Sequence, residues 1–482
     1  MTAHRTARRA ALGLLLGMVA LACGSDGEGD EAASPTTAAA APATSAAGAT
    51  SNSFGPSKDN PKIILGPEGY KIDTSKCPSG WKDTDGVTDT EIKLAHTFVF
   101  SGNLAANGGI SLAMKAYLEH INATEGGING KKFSFTAKDD GYEPARMKAN
   151  TDELLETVKP VAMPAMAGTP GNLATYDKLN EQCMPDILIG SGHPAFADPV
   201  NHPWVTNSYL LYPPEGAILA EYIAKTFGTG TTVGAIVLNN DFGLSYKTAF
   251  EKKAKEVGIS LVKAELFDGA AATVTNEVTT VASANADVYV IMSAGATCTQ
   301  GINALATSSW KPKGKVITAT CTGNFLTAAG AAAGDYVGAS YRKDTSDGAT
   351  YANDPDAQKA RDVLKKAGLD ENEYNNNLGI WWTLPLVQIM KNAAAMPGGV
   401  TRTNIMLASY SLKFDHPLNL GTGANRIKFE MNGLKDVAYT EGAQMQRWTL
   451  GGDGKGRWVQ FGDVIEQNGT TTNCSWDGKT CK

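Results

Sequence analysis

The chain has 482 residues, of which 42% are hydrophobic and 19% are charged, and its formal net charge is −6. This composition is typical of a globular protein that is long enough for two core-bearing units. An acidic chain without a basic run is a poor nucleic-acid binder, so we expect no nucleic-acid partner.

The first 22 residues predict a signal peptide. Arg5, Arg8 and Arg9 make a basic start, and residues 10–22 form an apolar run that is too short to span a bilayer. The run ends at Ala-Leu-Ala-Cys23, which resembles a bacterial lipobox, in which the cysteine is lipidated and becomes the new N-terminus. An ordinary secretory signal with a chance cysteine is the alternative, and both predict export. Cleavage would remove three arginines and no acids, moving the charge from −6 to −9.

Residues 23–60 predict a disordered, lipid-anchored tether. The segment is rich in alanine, threonine, serine, proline and glycine and has almost no large apolar side chain. Such a stretch cannot bury enough surface to offset the entropy of ordering. No later stretch approaches 18 continuous apolar residues, so we expect no transmembrane helix.

The folded part is predicted to begin with a βαβα unit. Residues 91–100 and 133–138 form apolar runs typical of strands, and apolar residues from 110 to 121 recur at the spacing of one helix face. Pro144 opens a second helix. The unit predicts a parallel sheet with a ligand crevice at the carboxyl ends of its strands.

The same alternation continues along the chain and predicts two α/β units in tandem. The further predicted strands are 161–166, 186–190, 204–210, 232–238, 260–266, 287–292 and 315–319. The predicted helices are 172–181, 216–227, 242–257, 272–284, 299–308, 356–367, 378–396 and 403–410. The end of the chain, 425–464, is rich in glycine and predicts short strand-like pieces.

Apart from Cys23, six cysteines remain, an even number that predicts disulfides in an oxidising compartment. Six cysteines allow fifteen pairings, so the connectivity stays open. Consecutive parallel strands tend to be neighbours, which favours Cys298 with Cys321, and a tight hairpin favours Cys474 with Cys481. Cys77 and Cys183 then remain. A zinc site would need closely spaced cysteines or nearby histidines, which the sequence lacks.

No catalytic constellation is predicted. Ser308 and Lys311 match the serine–lysine start of penicillin-recognising enzymes, but their companion motifs are missing. His193 and His202 could bind a metal, although polar loop residues are the simpler interpretation. Asp139 and Asp140 could form an acid pair, but we expect them to cap the helix that Pro144 opens. We therefore predict neither a metal nor a cofactor.

A family resemblance rests on the residues around the first unit. They are the Ser101-Gly102 turn, the helix end Ile121-Asn122-Ala123, the run Gly-Gly-Ile-Asn-Gly-Lys-Lys at 126–132, and Asp139-Asp140 ahead of Pro144. In this order they resemble the start of the type 1 periplasmic-binding-protein family, and the leucine/isoleucine/valine-binding proteins of ABC transporters in particular. The similarity covers about residues 91 to 448.

This resemblance implies an α/β fold of two Rossmann-like lobes with parallel central sheets, joined by a three-strand hinge. The implied first lobe comprises 61–211 and 341–435, and the second comprises 212–340 and 436–482. The chain would cross between the lobes near 207–212, near 339–341 and within 414–436.

The ligand is predicted to lie against six small polar loops at strand ends, where backbone N–H groups face the cleft. These loops are 101–107, 167–172, 190–193, 239–242, 293–297 and 320–324. The predicted ligand-binding residues are Ser101, Asn107, Ala167, Gly168, Thr169, Ser191, His193, Asp241, Phe242, Ala294, Thr297 and Thr322. Trp381 and Trp382 could stack on a ligand near the hinge, with helical core packing as the alternative.

The resemblance sharpens some of these assignments. It implies that Asn107 and Phe242 stand at cleft positions that are often aromatic, and that Thr169 and Ser191 lie in loops where amino-acid binders hold the ligand's α-carboxylate. The acid that would receive an α-ammonium should lie near Thr322, and none is there. A buried ammonium without a counter-charge is costly, so we expect a ligand other than an ordinary α-amino acid.

The resemblance thus implies a monomeric solute-binding protein, lipid-anchored to the outer face of the cytoplasmic membrane. It would deliver a small organic ligand to an ABC permease by cleft closure, without catalysis. The predicted site has no charged side chain that would pair with a charged group of the ligand. We therefore expect a partly apolar ligand that is uncharged or carries a carboxylate, and aromatic molecules belong to this class. A sensor for a signalling partner is the alternative, followed by a branched-chain amino acid binder or a cell-envelope hydrolase.

Overall fold

The computed structural model describes residues 54–481 except residues 453, 467–468 and 470. The side chain of residue 324 is also outside the description. The predicted signal peptide, the lipidation residue Cys23 and the tether up to residue 53 lie outside the described residues. The described chain begins with three short antiparallel strands, β1 (Gly55–Pro56), β2 (Ile63–Leu65) and β3 (Lys71–Asp73).

The first lobe starts with the predicted βαβα unit. Its elements in chain order are β4 (Glu91–Phe98), α1 (Gly108–Thr124), β5 (Lys132–Asp139), α2 (Pro144–Thr157), β6 (Met163–Pro164), α3 (Thr169–Leu173), α4 (Tyr176–Glu181), β7 (Asp186–Ile189) and β8 (Val205–Asn207). The apolar face of α1, including Ile110, Met114 and Leu118, is buried. Strands β4 and β5 pair in parallel, as do β6, β7 and β8, and a parallel bridge from Leu94 to Ala162 joins the two groups. The strand order is therefore β5-β4-β6-β7-β8.

The second lobe repeats this arrangement. Its elements are α5 (Tyr212–Phe227), β9 (Thr232–Leu238), α6 (Asp241–Glu256), β10 (Ser260–Phe267), α7 (Thr275–Ala282), β11 (Val288–Met292), α8 (Ala296–Thr307), β12 (Gly314–Ile317), α9 (Asn324–Ala329) and β13 (Tyr336–Ser340). The parallel strands follow the order β10-β9-β11-β12-β13. In both lobes the first strand of the series thus lies between the second and the third, so the two halves share one topology.

The remaining elements complete both lobes. They are α10 (Pro355–Lys366), α11 (Tyr374–Ala395), α12 (Arg402–Tyr410), β14 (Lys413–Phe414), β15 (Phe429–Glu430), β16 (Ala443–Leu450) and β17 (Gly456–Ile465). Helix α11 packs against α1 at Gly379, where a Cβ would lie 2.3 Å from the carbonyl oxygen of Ile110. Strand β16 pairs antiparallel with β13, and β17 pairs antiparallel with β16 at the edge of the second sheet.

The last passage between the lobes lies close to β16. Tyr439 still belongs to the first lobe, because its ring stacks on Phe429 and its hydroxyl donates to the Ser409 carbonyl at 3.0 Å. At Ala443 the chain joins the second sheet. The lobe boundaries proposed from the sequence stay a prediction.

Three local predictions differ from the structure. The strand predicted over 161–166 is reduced to β6, because Ala165 takes a φ of 57° that a continuous strand cannot accommodate. The helix predicted over 172–181 is split into α3 and α4, with an irregular Thr175 between them. The short pieces predicted over 425–464 include one long hairpin, in which Trp448 lies opposite Trp458 at a ring distance of 5.3 Å.

Three disulfides are present among the described residues. They join Cys77 to Cys183, Cys298 to Cys321 and Cys474 to Cys481, the pairs favoured by the sequence analysis. The second of these ties the start of α8 to the turn after β12, so it lies beside the cleft. The third closes a hairpin whose Trp476 packs edge-on against the His193 ring at 4.7 Å.

Candidate functional site

A cavity of about 80 Å³ lies between the two lobes. Each of the six predicted cleft loops contributes at least one residue to its wall, because these loops follow parallel strands and converge at one edge of each sheet. Much of the wall is aromatic. The aromatic lining residues are Tyr142, Tyr209, Tyr212, Phe242, Phe325, Tyr374 and Trp382.

Six of the twelve predicted ligand-binding residues line this cavity. They are Asn107, Ala167, Gly168, Phe242, Ala294 and Thr322. Thr297 lies instead in a second groove near the same cleft and bonds to the Ser293 hydroxyl at 2.5 Å. Asp241 is the exposed first residue of α6 and lies outside the cavity wall.

Thr169 and Ser191 lie behind the cavity wall. Both are fully buried, and their hydroxyl oxygens are 2.7 Å apart. Each also contacts the hydroxyl of Tyr212, at 3.4 Å and 3.3 Å, and Tyr212 itself lines the cavity. These two hydroxyls therefore support a wall residue.

Ser101 also lies outside the wall of the cavity. Its hydroxyl donates to Asp139 at 2.6 Å, and Arg146 pairs with the same carboxylate at 3.0 Å. Asp140 accepts from the Thr97 hydroxyl and the Tyr142 amide, both at 2.8 Å. The prediction that the two aspartates cap α2 is therefore wrong, since they tie together the strand ends beside the cleft.

His193 is a buried loop residue outside the cavity wall. Its Nδ1 accepts from the Ala195 amide at 3.3 Å, and burial lowers the pKa of the imidazole to about 4. His202, the other candidate metal ligand, contacts Asp177 at 2.7 Å through Nε2. Within the described part of the chain, no group of three or more metal-ligating side chains occurs.

The serine and lysine considered for catalysis do not form a nucleophile pair. Lys311 donates to the backbone carbonyl of Ser308 at 2.7 Å, and the Ser308 hydroxyl accepts from the Trp310 amide at 3.1 Å. These contacts are those of a turn after α8.

Several wall residues were not predicted from the sequence. Tyr209 and Tyr212 flank the first crossing between the lobes, and Arg342 lies two residues after the end of β13 at the second. The expectation that the site lacks a charged side chain does not hold for this cavity, because Arg342 is among its lining residues. Its position at the end of a buried strand was the available signal.

The paired tryptophans have different roles. Trp382 lines the cavity and stacks on Tyr209, with ring centroids 5.3 Å apart and an interplanar angle of 10°. Trp381 faces the core, where its indole N–H donates to Asn419 at 2.8 Å. Both indoles are buried, as the packing alternative predicts, and stacking of Trp382 on a ligand stays a prediction.

The two lobes touch across the cleft. Asn103 of the first lobe donates to the Gly269 carbonyl of the second at 2.7 Å. The hydroxyls of Thr322 and Tyr374, which belong to opposite lobes, lie 3.3 Å apart. The described arrangement is thus a closed cleft.

Glu215, in the first turn of α5, is a buried acid close to the hinge. Its carboxylate accepts from the Ala319 amide at 2.7 Å and from the Tyr246 hydroxyl at 2.5 Å. Burial raises the pKa of Glu215 from 4.5 to about 7. The folded protein therefore favours the neutral carboxyl, and the stability that its proton provides is lost as the pH rises toward 7.

Replacing Glu215 by glutamine is expected to raise the free energy of unfolding at pH 8 by up to about 3 kcal/mol, because one pKa unit corresponds to about 1.4 kcal/mol. Glutamine keeps an acceptor for Ala319 and does not titrate. Thermal melts between pH 5 and pH 8 should show a smaller loss of stability in the variant. Glu251→Gln, at a half-exposed ion pair with Lys247, is the control and should follow the wild type. Identical pH profiles for Glu215→Gln and wild type would contradict this assignment.

Across the described residues, no helix is both long and apolar enough to cross a membrane.

The fold and the cleft define a class of protein, the two-lobed α/β binding proteins that close on a small molecule. Residues 91–433 match the sequence model of the periplasmic binding proteins, and the chain belongs to this family. Members are exported proteins that bind small-molecule ligands and work with ABC transporter permeases. No curated protein matches the chain.

Solved structures share the fold at low sequence identity. A branched-chain amino acid ABC transporter protein from Thermus thermophilus with bound valine has a TM-score of 0.69 and 17% sequence identity. The alignment covers 79% of this chain and 98% of the Thermus chain. A fatty acid ABC transporter substrate-binding protein from Thermomonospora curvata has a TM-score of 0.68 and 18% identity, with coverages of 82% and 98%. A solute-binding protein from R. palustris in complex with benzoate has a TM-score of 0.63 and 14% identity, with coverages of 80% and 100%.

Proposed function

We propose that this protein captures a small organic molecule outside the cytoplasm and delivers it to an ABC importer. The ligand is not an ordinary α-amino acid. The observation that carries this proposal is the wall of the cavity between the lobes, in which none of the described lining residues is an aspartate or glutamate.

The missing acid matters because an α-ammonium would be buried in this cavity. An amino-acid ligand brings one positive charge, and transferring it from water without a counter-charge costs several kcal/mol. Arg342, the one ionisable side chain other than tyrosine among the described lining residues, would add repulsion. The structures of similar fold bind valine and benzoate or are described as fatty acid proteins, so the fold itself accommodates ligands with and without an ammonium group.

Function then follows from closure. A ligand that contacts both lobes favours the closed form, and its binding free energy sets how far the population shifts. The permease would recognise the closed form, and no covalent step is required. Lipidation of Cys23 would hold the protein, as a monomer, at the outer face of the membrane.

Two measurements test the proposal. Mass spectrometry of gently denatured protein purified from its native host should detect a released small molecule, and a thermal-shift screen should identify compounds that raise the melting temperature. Stabilisation by branched-chain amino acids alone would refute the assignment of the ligand. Failure of both measurements to find any small molecule would refute the solute-binding function.

A sensor with the same fold is the second candidate, since cleft closure could equally be read by a signalling partner. Neighbouring genes for a permease and an ATPase would support transport, whereas a neighbouring kinase gene would support sensing. A cell-envelope hydrolase ranks below both, because Ser308 and Lys311 make only turn contacts. Any hydrolase activity that persists in Ser308→Ala would exclude that serine as nucleophile.

A further inference from the structure

Arg342 is a buried cation at the base of the cleft. It follows β13, borders the cavity and is only 7% exposed. A guanidinium carries its charge at any physiological pH, so its burial must be compensated by hydrogen bonds or by a negative charge.

The protein supplies hydrogen bonds to Arg342 but no charge at contact distance. Its Nε and Nη2 donate to the Tyr374 hydroxyl at 3.2 and 3.0 Å, and Nη1 donates to the Tyr341 hydroxyl at 2.6 Å. A guanidinium has five N–H donors, so these three bonds leave two. Among the described residues, no carboxylate oxygen lies within 4.0 Å of Arg342.

The two acids that act on Arg342 through space are bonded elsewhere. Glu215 accepts from Ala319 and Tyr246. Asp344 accepts from the amide and the hydroxyl of Ser346. Neither forms an ion pair with the guanidinium.

Aromatic rings surround the same cation. The guanidinium carbon lies 4.8 Å from the ring centre of Tyr341, 5.4 Å from that of Tyr209 and 5.8 Å from that of Trp381. Such rings offset part of the free energy that burying the charge costs. They cannot accept hydrogen bonds from the N–H groups that lie in the plane of the guanidinium. The plane of Arg342 is therefore suited to a carboxylate that arrives from the cavity.

The wall around Arg342 favours a flat apolar body on that carboxylate. Tyr209 and Trp382 are stacked with nearly parallel rings, and Phe242 meets Tyr212 edge to face at 5.1 Å. All four rings line the cavity. Offset stacking and edge contacts between rings contribute beyond area burial, which an aliphatic chain cannot match.

Building on the proposed solute-binding function, we propose that Arg342 is the carboxylate receptor of the cleft and that the ligand class is small aromatic carboxylates. The acid group bonds to the free N–H donors of Arg342, and the ring lies among the aromatic side chains of both lobes. Tyr374 acts as a positioning residue, because its hydroxyl holds two nitrogens of the guanidinium.

Isothermal titration calorimetry on the full mature chain tests this proposal with four probes. Benzoate carries both features, benzamide lacks the charge, cyclohexanecarboxylate lacks the planar ring, and L-phenylalanine adds an ammonium. In the wild type we expect benzoate to bind at least tenfold more tightly than each of the other three. This comparison needs no variant, so it stands even if substitutions at Arg342 impair folding.

Arg342→Gln should weaken benzoate binding at least a hundredfold and leave benzamide binding within about threefold. The matched control is Arg402→Gln, which alters another buried arginine that donates to the Pro160 carbonyl and is not among the lining residues of the cavity. Tyr374→Phe keeps the ring but removes the hydroxyl. This variant should lower the affinity for benzoate more than the affinity for benzamide.

Two outcomes would overturn the inference. One is benzoate binding that is unchanged in folded Arg342→Gln, as judged by circular dichroism. The other is a wild type that prefers cyclohexanecarboxylate, benzamide or phenylalanine, which would refute aromatic carboxylates while leaving solute binding intact. If no probe binds and no small molecule is released from native protein, the solute-binding function itself fails as well.

Discussion

Replacing Gly323 by alanine is expected to open the cleft. Gly323 has a φ of +96°, and a Cβ there would lie 2.6 Å from the ring of Tyr374, which belongs to the opposite lobe. That ring cannot easily retreat, because Arg342 holds its hydroxyl through two nitrogens. Since the clash exists only when the lobes meet, the substitution raises the free energy of the closed form selectively.

The change should be visible without knowledge of the ligand. Small-angle X-ray scattering should give a larger radius of gyration for Gly323→Ala than for the wild type, and affinity for any cleft ligand should fall at least tenfold, which corresponds to about 1.4 kcal/mol. Gly330→Ala is the matched control. Gly330 lies in the same lobe and also has a positive φ, +57°, but a Cβ there meets nothing within 4 Å. Equal scattering from the two variants would show that Gly323 does not govern closure.

Removing the disulfide between Cys77 and Cys183 is expected to cause the largest loss of stability. The two cysteines are 106 residues apart in sequence, so the bond closes a long loop and removes much entropy from the unfolded chain. Loop-closure entropy predicts a loss of about 5 kcal/mol in the free energy of unfolding for the double serine variant. The bond also lies beside Trp81, whose indole donates to the Cys183 carbonyl at 3.1 Å.

The terminal pair provides the comparison for this experiment. Cys474 and Cys481 are only 7 residues apart, and the same argument predicts a loss of about 2 kcal/mol for their double serine variant. Urea denaturation followed by circular dichroism measures both changes. If removing the terminal disulfide lowered the free energy of unfolding as much as removing the long-range disulfide, loop entropy would not explain the stabilisation.

Much of the architecture could be predicted because its signals are local. The apolar run of β4, the helix face of α1 and the proline that opens α2 each lie within one window of sequence. The six polar loops could be predicted for the same reason, since each begins within three residues of the end of a strand. Predictions failed where a single backbone angle decided the outcome, as at Ala165, or where partner strands were distant, as in the hairpin of β16 and β17.

The candidate site was predicted only in part. Phe242 and Thr322 were identified, but Thr169 and Ser191 turned out to lie behind the wall that they were expected to form. The direction in which a loop side chain points depends on the packing of the whole loop. Sequence position alone therefore located the loops but not the side chains that face the ligand.

The sequence by itself determined the two-lobed α/β class, because hydrophobic periodicity and turn residues act over short distances. The tertiary structure alone decided that Arg342 lines the cavity together with Tyr209, Tyr374 and Trp382. These residues come from three separate parts of the chain, and only the crossing of the chain between the lobes brings them together. The charge and shape that a ligand meets are thus properties of long-range packing, which no local pattern encodes.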